Sequence, residues 1–162
     1  MRHARDSDLE ALTEIYNHYV VHSPATFDLE PFKPDQRREW FGHYREGTRH
    51  QLVVAEDGGQ LLGYATSSRF RPKPAYETTV ETTVYNHPDA GGRGVGSLLY
   101  AELFERLAAH DVWRAVAGIV PPNEPSVRLH LKFGFREVGR FTELGRKFGR
   151  YWDVVWYEKA LR

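Results

Sequence analysis

Two side chains and one run of glycines have the types and spacing that chemistry needs. Glu81 sits inside Val80-Glu81-Thr82-Thr83-Val84-Tyr85-Asn86, a stretch rich in the β-branched residues that suit a pleated strand. A carboxylate there is costly unless it faces a polar cavity, where it can accept a proton; the competing reading is a Glu on the solvent side of a strand. His130 lies in a helical segment and titrates near neutrality, so it can give or take a proton, although a lone helical histidine is more often structural. The glycines are Gly91, Gly92, Gly94 and Gly96, reached from the strand through His87-Pro88-Asp89-Ala90. From Val95 onward apolar residues recur at Leu98, Leu99, Leu103 and Leu107, a helical face. A glycine turn that opens a helix presents free backbone N–H groups, has no Cβ to block an anion, and lies at the positive end of the helix dipole. The physical reading is a phosphate or pyrophosphate site.

Spacing narrows the ligand. A Walker loop needs a lysine straight after its last glycine, but Ser97 and Leu98 follow Gly96. A dinucleotide fingerprint needs G-x-G-x-x-G, whereas Gly92-Arg93-Gly94-Val95-Gly96 brings its third glycine one place early. An oxidoreductase of that kind is therefore disfavoured. A turn whose glycines merely let helix and strand pack closely remains a competing reading.

The elements that must hold these groups are drawn from 162 residues with an apolar fraction of 41%, the size of one domain, 1–162, with a real core. Lys+Arg and Asp+Glu balance at 22 each and no basic run interleaves with aromatics, so no nucleic-acid partner is expected. The absence of Cys excludes disulfides, thiolate metal sites and a cysteine nucleophile. Met1 to Asp6 carries no apolar signal core and no later stretch approaches membrane-spanning length. The expected address is the cytoplasm, with no membrane partner.

After a short opening strand, Ser7-Asp8-Leu9-Glu10 reads as a capping box ahead of Leu9, Leu12, Ile15, Tyr16, Tyr19 and Val20 at helical spacing. His18 and His22 stand at the spacing of two metal ligands, but no acidic residue lies between them and no metal is expected. Val21 to Pro31 is a loop holding Thr26-Phe27-Asp28, and Pro34 opens a second helix with Trp40, Phe41 and Tyr44. Gln51 to Ala55 and Leu61 to Ser67 form a hairpin about Glu56-Asp57-Gly58-Gly59-Gln60. Arg69-Phe70-Arg71-Pro72-Lys73-Pro74 is a rigid basic loop, either a clamp for a carboxylate or other anion or a solvated loop. A helix from Gly94 to about His110 leads to an apolar strand, Trp113 to Val120, parallel to the strand of Glu81. Asn123 is an N-cap and Pro125 a first-turn residue of a helix that stops at Gly134. Phe135 to Arg140 and Arg150 to Lys159 close the chain as strands, the last bulky on both faces and so covered on both sides or paired with a partner.

The glycine turn resembles the pyrophosphate loop of the GCN5-related N-acetyltransferases, [Arg/Gln]-x-x-Gly-x-[Gly/Ala], with Gly94 and Gly96 matching, Arg93 in a variable slot and Gly91 where Arg or Gln is usual. The order β-α-α-β-β-β-α-β-α-β-β is that superfamily's order. Closer matches to its phosphinothricin and methionine sulfoximine or sulfone branch are Ile15-Tyr16-Asn17-His18-Tyr19-Val20, Ser23 to Phe27 with Glu30-Pro31, Tyr76 to Tyr85, Asn123 to His130, Gly134-Phe135, and Gly145 to Gly149 ahead of Asp153. The resemblance implies an α/β fold, a mixed and mostly antiparallel seven-stranded sheet with helices on both faces. It also implies acetyl transfer from acetyl-CoA to the amine of a small amino-acid-like substrate, by direct attack in a ternary complex and without metal. Glu81 would be the base and His130 an acid or base. Backbone around Val84, Tyr85 and Asn86 would polarise the thioester, Gly91, Gly92, Arg93, Gly94, Val95, Gly96 and Ser97 would hold the pyrophosphate, and Asn123 with Ser126 the pantetheine arm. Arg71, Lys73 and Tyr76 would take the acidic end of the acceptor, and Phe27 would wall its pocket. Arg146 and Phe148 replace residues that are Tyr and His in the phosphinothricin enzymes, which implies a pocket of different charge and size. Relatives are often homodimers. A protein or peptide amine as acceptor, or a non-catalytic coenzyme-binding module, are the other functions this pattern allows.

Overall fold

The computed structural model describes residues 1–162. In chain order the elements are β1 (Arg2–His3), α1 (Leu9–His22), α2 (Arg38–Gly42), β2 (Leu52–Asp57), β3 (Gln60–Arg69), β4 (Thr79–Asn86), α3 (Val95–Leu107), β5 (Arg114–Ile119), α4 (Glu124–Lys132), β6 (Arg136–Lys147) and β7 (Arg150–Ala160). This is the expected order. The strands form one seven-stranded sheet, β1-β2-β3-β4-β5-β7-β6, in which β4 and β5 are the parallel pair and the other neighbours are antiparallel. The β2–β3 hairpin turns at Gly58 and Gly59, whose φ values of 57° and 85° are the left-handed pair a two-residue turn requires.

Period-2 alternation in the strands sends side chains to two cores. On one face Val53, Ala65, Val80, Ala115, Ala117 and Val155 meet Leu99, Leu103 and Leu107 of α3. On the other, Leu52, Val54 and Tyr64 meet Leu12 and Ile15 of α1. β4 is divided the same way: Val80 and Val84 pack with the α3 core, whereas Tyr85 packs against the α1 core. Glu81 and Thr83, in register with Tyr85, therefore share the α1 and α2 face.

Three expectations differ from the structure. The capping box does not form: the Asp8 carboxylate turns back to the Arg5 N–H, 2.7 Å, and to Arg2, 2.6 Å, so a 3₁₀ turn over Asp6–Asp8 precedes the helix. The second helix is a 3₁₀ turn, Pro34–Arg37, followed by a single α-helical turn that ends at Gly42, leaving Tyr44 beyond it though still buried. β6 runs to Lys147, seven residues past the expected Arg140. It is an exposed edge strand with register shifts between Glu137 and Gly139 and between Phe141 and Gly145, so no buried alternation marks it. Its neighbour β7 is interior, between β5 and β6, which explains bulk on both of its faces.

Candidate active site

The parallel pair is short. β5 pairs with β4 only at Thr79 with Arg114, Val80 with Ala115 and Glu81 with Val116. Beyond these the strands part, and a cavity of about 180 Å³ opens between them, lined by Glu81 to Tyr85, by Ala117 to Val120, by Ala25 and Thr26, and by Asn123, Ser126 and His130. A backbone edge freed this way keeps N–H and C=O groups available to a ligand.

Glu81 stands where the pairing ends. It is half-buried, and burial pushes its carboxyl above the usual range while the positive charge of Arg71 pulls the other way. Burial wins, which suits a group that must accept a proton near neutral pH.

His130 is 4% exposed, and burial lowers its pKa, so the ring is neutral at pH 7. Its Nδ1 lies 2.7 Å from the Ser126 carbonyl, which can only accept, so Nδ1 carries the proton. Nε2 is then the acceptor for the hydroxyl of Tyr100, 2.7 Å away, and Tyr100 in turn lies 3.2 Å from Thr82 Oγ1. Both ring nitrogens are occupied by the protein itself.

The glycine turn leads into the amino end of α3. Gly92 and Gly94 have φ of 74° and 73°, and a Cβ on either would meet nothing within 4 Å, so they are glycines for conformation and leave an open approach to the backbone. Gly96 is different: its Cβ would lie 3.2 Å from Leu129 and 3.5 Å from Asn86, so it lets α3 pack against α4 and β4. The two readings of the turn thus fall on different glycines. The first helical bonds run from Ser97 and Leu98 to the Gly94 carbonyl, 3.0 and 3.2 Å, which leaves the N–H groups of Val95 and Gly96 free at the positive end of the dipole. Asn123 caps α4, its Oδ1 accepting from Ser126 N–H at 3.2 Å.

The model of the acetyltransferase (GNAT) family matches residues 10–135. The chain belongs to that family. It is 60% identical to a phosphinothricin N-acetyltransferase of Streptomyces coelicolor, over 96% of this chain and 92% of that one. It is 34% identical to an L-methionine sulfoximine/L-methionine sulfone acetyltransferase of Salmonella typhimurium, over 99% and 94% of the two chains. Among solved structures it resembles a GNAT superfamily phosphinothricin acetyltransferase from Sinorhizobium meliloti in complex with acetyl-CoA, with a TM-score of 0.92, 33% identity, and coverage of 98% and 86%.

In this GNAT chain Glu81, Val84, Tyr85, Asn123, Ser126 and His130 meet at one cavity, and Asn86 and Val84 reach Gly96 at the head of α3. Arg93 points away to Asp57, 3.0 Å, and Ser97 Oγ accepts from Lys132 Nζ at 3.0 Å. Of the expected acceptor residues, the structure brings Arg71 and Tyr76 together, both against the ring of Phe70. Arg71 lies near enough to Glu81 to act on its pKa but lines a separate hollow with Phe70 and Trp156. Lys73 is exposed, and Tyr76 leans on Phe70 at 5.8 Å. The Phe27 ring covers Gly145, while its neighbours Ala25 and Thr26 line the cavity. His18 and His22 lie ring to ring at 4.9 Å, and no group of three His, Asp or Glu side chains gathers at a geometry for metal.

Sequence reasoning gave no role to Tyr100, Lys132 and Lys147, the last only a member of the matched run Gly145 to Gly149. Tyr100 follows Leu99 on the apolar face of α3 and reads as core; only the phenol oxygen hinted at a partner. Lys147, 4% exposed, donates to the carbonyls of Ser23 and Thr26, both 2.8 Å, and to Tyr19 at 3.5 Å, so it holds the carboxyl end of α1 and the loop at the cavity.

Proposed function

We propose that the protein transfers the acetyl group of acetyl-CoA to the amine of a small amino-acid-like acceptor of the phosphinothricin, methionine sulfoximine or methionine sulfone type, by direct attack with both substrates bound. The observation that carries this is a half-buried carboxylate of raised pKa at the point where β4 and β5 part, in line with an open glycine turn at a helix amino end. The names and bound ligand of the relatives above support the same choice of donor and acceptor.

Acetyl-CoA supplies an activated acetyl group as a thioester; the rest falls to the chain. Backbone N–H groups from Gly92 to Gly96 would hold the pyrophosphate, and Asn123 and Ser126 would flank the arm that enters the cavity. Free N–H groups of β4 near Val84 and Tyr85 would polarise the thioester carbonyl as it gains negative charge. Glu81 takes a proton from the acceptor ammonium, directly or through one water. As the nitrogen attacks, the C–N bond forms and the C–S bond breaks. The nitrogen must then lose one further proton and the sulfur gain one: Glu81 gives its first proton up through solvent toward the sulfur, accepts the second from the nitrogen, and releases that one to solvent.

His130 is better suited to positioning than to acid–base work. Its bound Nδ1 proton faces a carbonyl, its Nε2 lone pair faces Tyr100, and burial pushes the Tyr100 phenol far up, so the pair has no ready proton for sulfur. His130→Ala should raise the KM for acetyl-CoA while leaving the acid limb of the pH profile where it is. A homodimer belongs to the same proposal, supported by the exposed apolar side chains Val138, Phe141 and Leu144 on the edge strand β6.

Thiol release from acetyl-CoA, measured against free amino acids together with phosphinothricin, methionine sulfoximine and methionine sulfone, tests the reading. Acceptor-dependent release is expected. A burst of thiol without acceptor would rule out direct attack, and bound acetyl-CoA with no turnover on any amine would leave only a binding module.

A further inference from the structure

A second cavity, about 300 Å³, lies under α1 and α2 and shares Thr83 and Tyr85 with the cavity at the strand divergence. The two adjoin along the face of β4 that carries Glu81, with Thr83 and Tyr85 as their common wall. Arg37 lines the second cavity and is 5% exposed. Its guanidinium carbon lies 4.2 Å from the Tyr16 ring centre and 3.7 Å from that of Trp40, and its hydrogen bond goes to the Leu12 carbonyl at 3.3 Å. A guanidinium has five N–H donors, and two aromatic faces with one long hydrogen bond leave most of them unused at a buried site. Asp28 lines the same cavity, but its carboxylate accepts from the Tyr16 hydroxyl and forms no ion pair with Arg37. Tyr64, 1% exposed, also lines the cavity; its hydroxyl stands beside the Arg37 guanidinium but makes no hydrogen bond of good geometry.

The contrast with Lys147 is instructive. That cation is equally buried, yet three carbonyl oxygens surround it. Buried polar groups are ordinarily satisfied in this way, so an underused guanidinium beside an orphan phenol marks a place where a ligand completes the set.

We infer that Arg37 and Tyr64 bind an oxyanion or oxo group of the acceptor, either its α-carboxylate or the oxygens of its side-chain phosphinate, sulfoximine or sulfone. The inference rests on the amino-acid acceptor proposed above. The planar fork of Arg37 suits a carboxylate or a pair of geminal oxygens, and the Tyr64 hydroxyl donates a further hydrogen bond. With the acceptor amine at Glu81, the rest of the molecule passes Thr83 and Tyr85 to reach this site.

Steady-state kinetics on Tyr64→Phe and Arg37→Lys test the assignment, with phosphinothricin, methionine sulfone, methionine and methionine sulfone carboxamide as acceptors and the melting temperature of each variant as a control. Tyr64→Phe removes only an unpartnered hydroxyl, so it should hold or raise the melting temperature while raising the acceptor KM about fivefold. Arg37→Lys keeps charge but loses the fork and should raise the acceptor KM about tenfold or more, with the KM for acetyl-CoA within about twofold of wild type. If the difference from wild type vanishes with the carboxamide, the α-carboxylate occupies the site; if it vanishes with methionine, the side-chain oxygens do. Wild-type acceptor KM in both folded variants, or an equal rise for all four acceptors, overturns the inference alone. Failure of the wild-type protein to acetylate these acceptors or to bind them by calorimetry overturns both the inference and the reading beneath it.

Discussion

Toward its carboxyl end β4 runs into the glycine turn, where the proposed coenzyme contacts come from the backbone of one continuous stretch, Val84 to Ser97. On the face of Glu81 the walls come instead from side chains far apart in sequence: Thr26, Arg37, Tyr64 and Thr83. The coenzyme side needs positive φ and absent Cβ atoms, which glycine alone supplies cheaply, so it leaves a spaced signature. The acceptor side needs shape and charge, which many residue combinations supply, so it leaves none. Substitutions on one side should therefore move the kinetic constants of one substrate and spare the other.

The largest effect is expected where both sides meet. Glu81→Gln keeps the size and most hydrogen bonding of the side chain but removes the base, and kcat should fall by about 10²–10⁴-fold. The KM for acetyl-CoA should stay near wild type. A kcat within a few-fold of wild type would return the proton-accepting role to His130.

On the acceptor side alone, Gly145 offers a sharp test. A Cβ there would lie 2.3 Å from the Phe27 ring, so Gly145→Ala must displace Phe27 and, with it, Ala25 and Thr26 at the cavity. Displacement on that scale should cost on the order of tenfold in the acceptor KM, about 1.4 kcal/mol, and leave the acetyl-CoA KM unchanged. Equal losses for both substrates would mean that the two sides are not separable.

The same contrast explains what could be read in the residues. Gly94 and Asn123 were legible as helix starts because each has a local physical task, a left-handed φ in one case and a side-chain cap in the other. The strand of Glu81 was legible from its β-branched residues, and its parallel partner from an apolar run that follows a crossover helix. Ser7 misled because the neighbouring Asp8 finds Arg2 and the Arg5 N–H, contacts that outweigh an ordinary cap. The length of β6 was hidden by bulges and by exposure on nearly every residue. Tyr100 to His130 and Lys147 to the end of α1 are contacts between elements, and no spacing within an element encodes them. Arg71, Lys73 and Tyr76 were grouped by resemblance alone; Arg71 and Tyr76 do meet, at the Phe70 ring, while Lys73, just before the turn over Pro74–Tyr76, stands exposed.

On the coenzyme side, Gly94→Ala forces a β-carbon into a φ of 73°, at about 1–2 kcal/mol of strain. The new methyl group also enters the open approach to the turn. Thermal denaturation should show the loss of stability, and the KM for acetyl-CoA should rise about fivefold with the acceptor KM unchanged, a smaller effect than at Gly145 because the loop can adjust in solvent. A rise in the acceptor KM instead would break the division between the two sides.

The smallest and most specific effect concerns Arg71, whose charge acts on Glu81. Burial raises the Glu81 pKa and the Arg71 charge opposes that rise. The base works only when deprotonated, so kcat/KM falls as pH drops through the Glu81 pKa. Arg71→Gln removes the opposing charge, the pKa moves further up, and the acid limb of the profile moves to higher pH, while rates on the alkaline side of that limb stay level. Measuring kcat/KM from about pH 5 to pH 8 reads the shift directly. If Arg71 were instead the main anchor of the acceptor, the loss would be uniform across pH and would appear in KM. A moved limb with a nearly unchanged KM at high pH would assign Arg71 to tuning the base and leave the acceptor's acidic end to the buried side of the cleft.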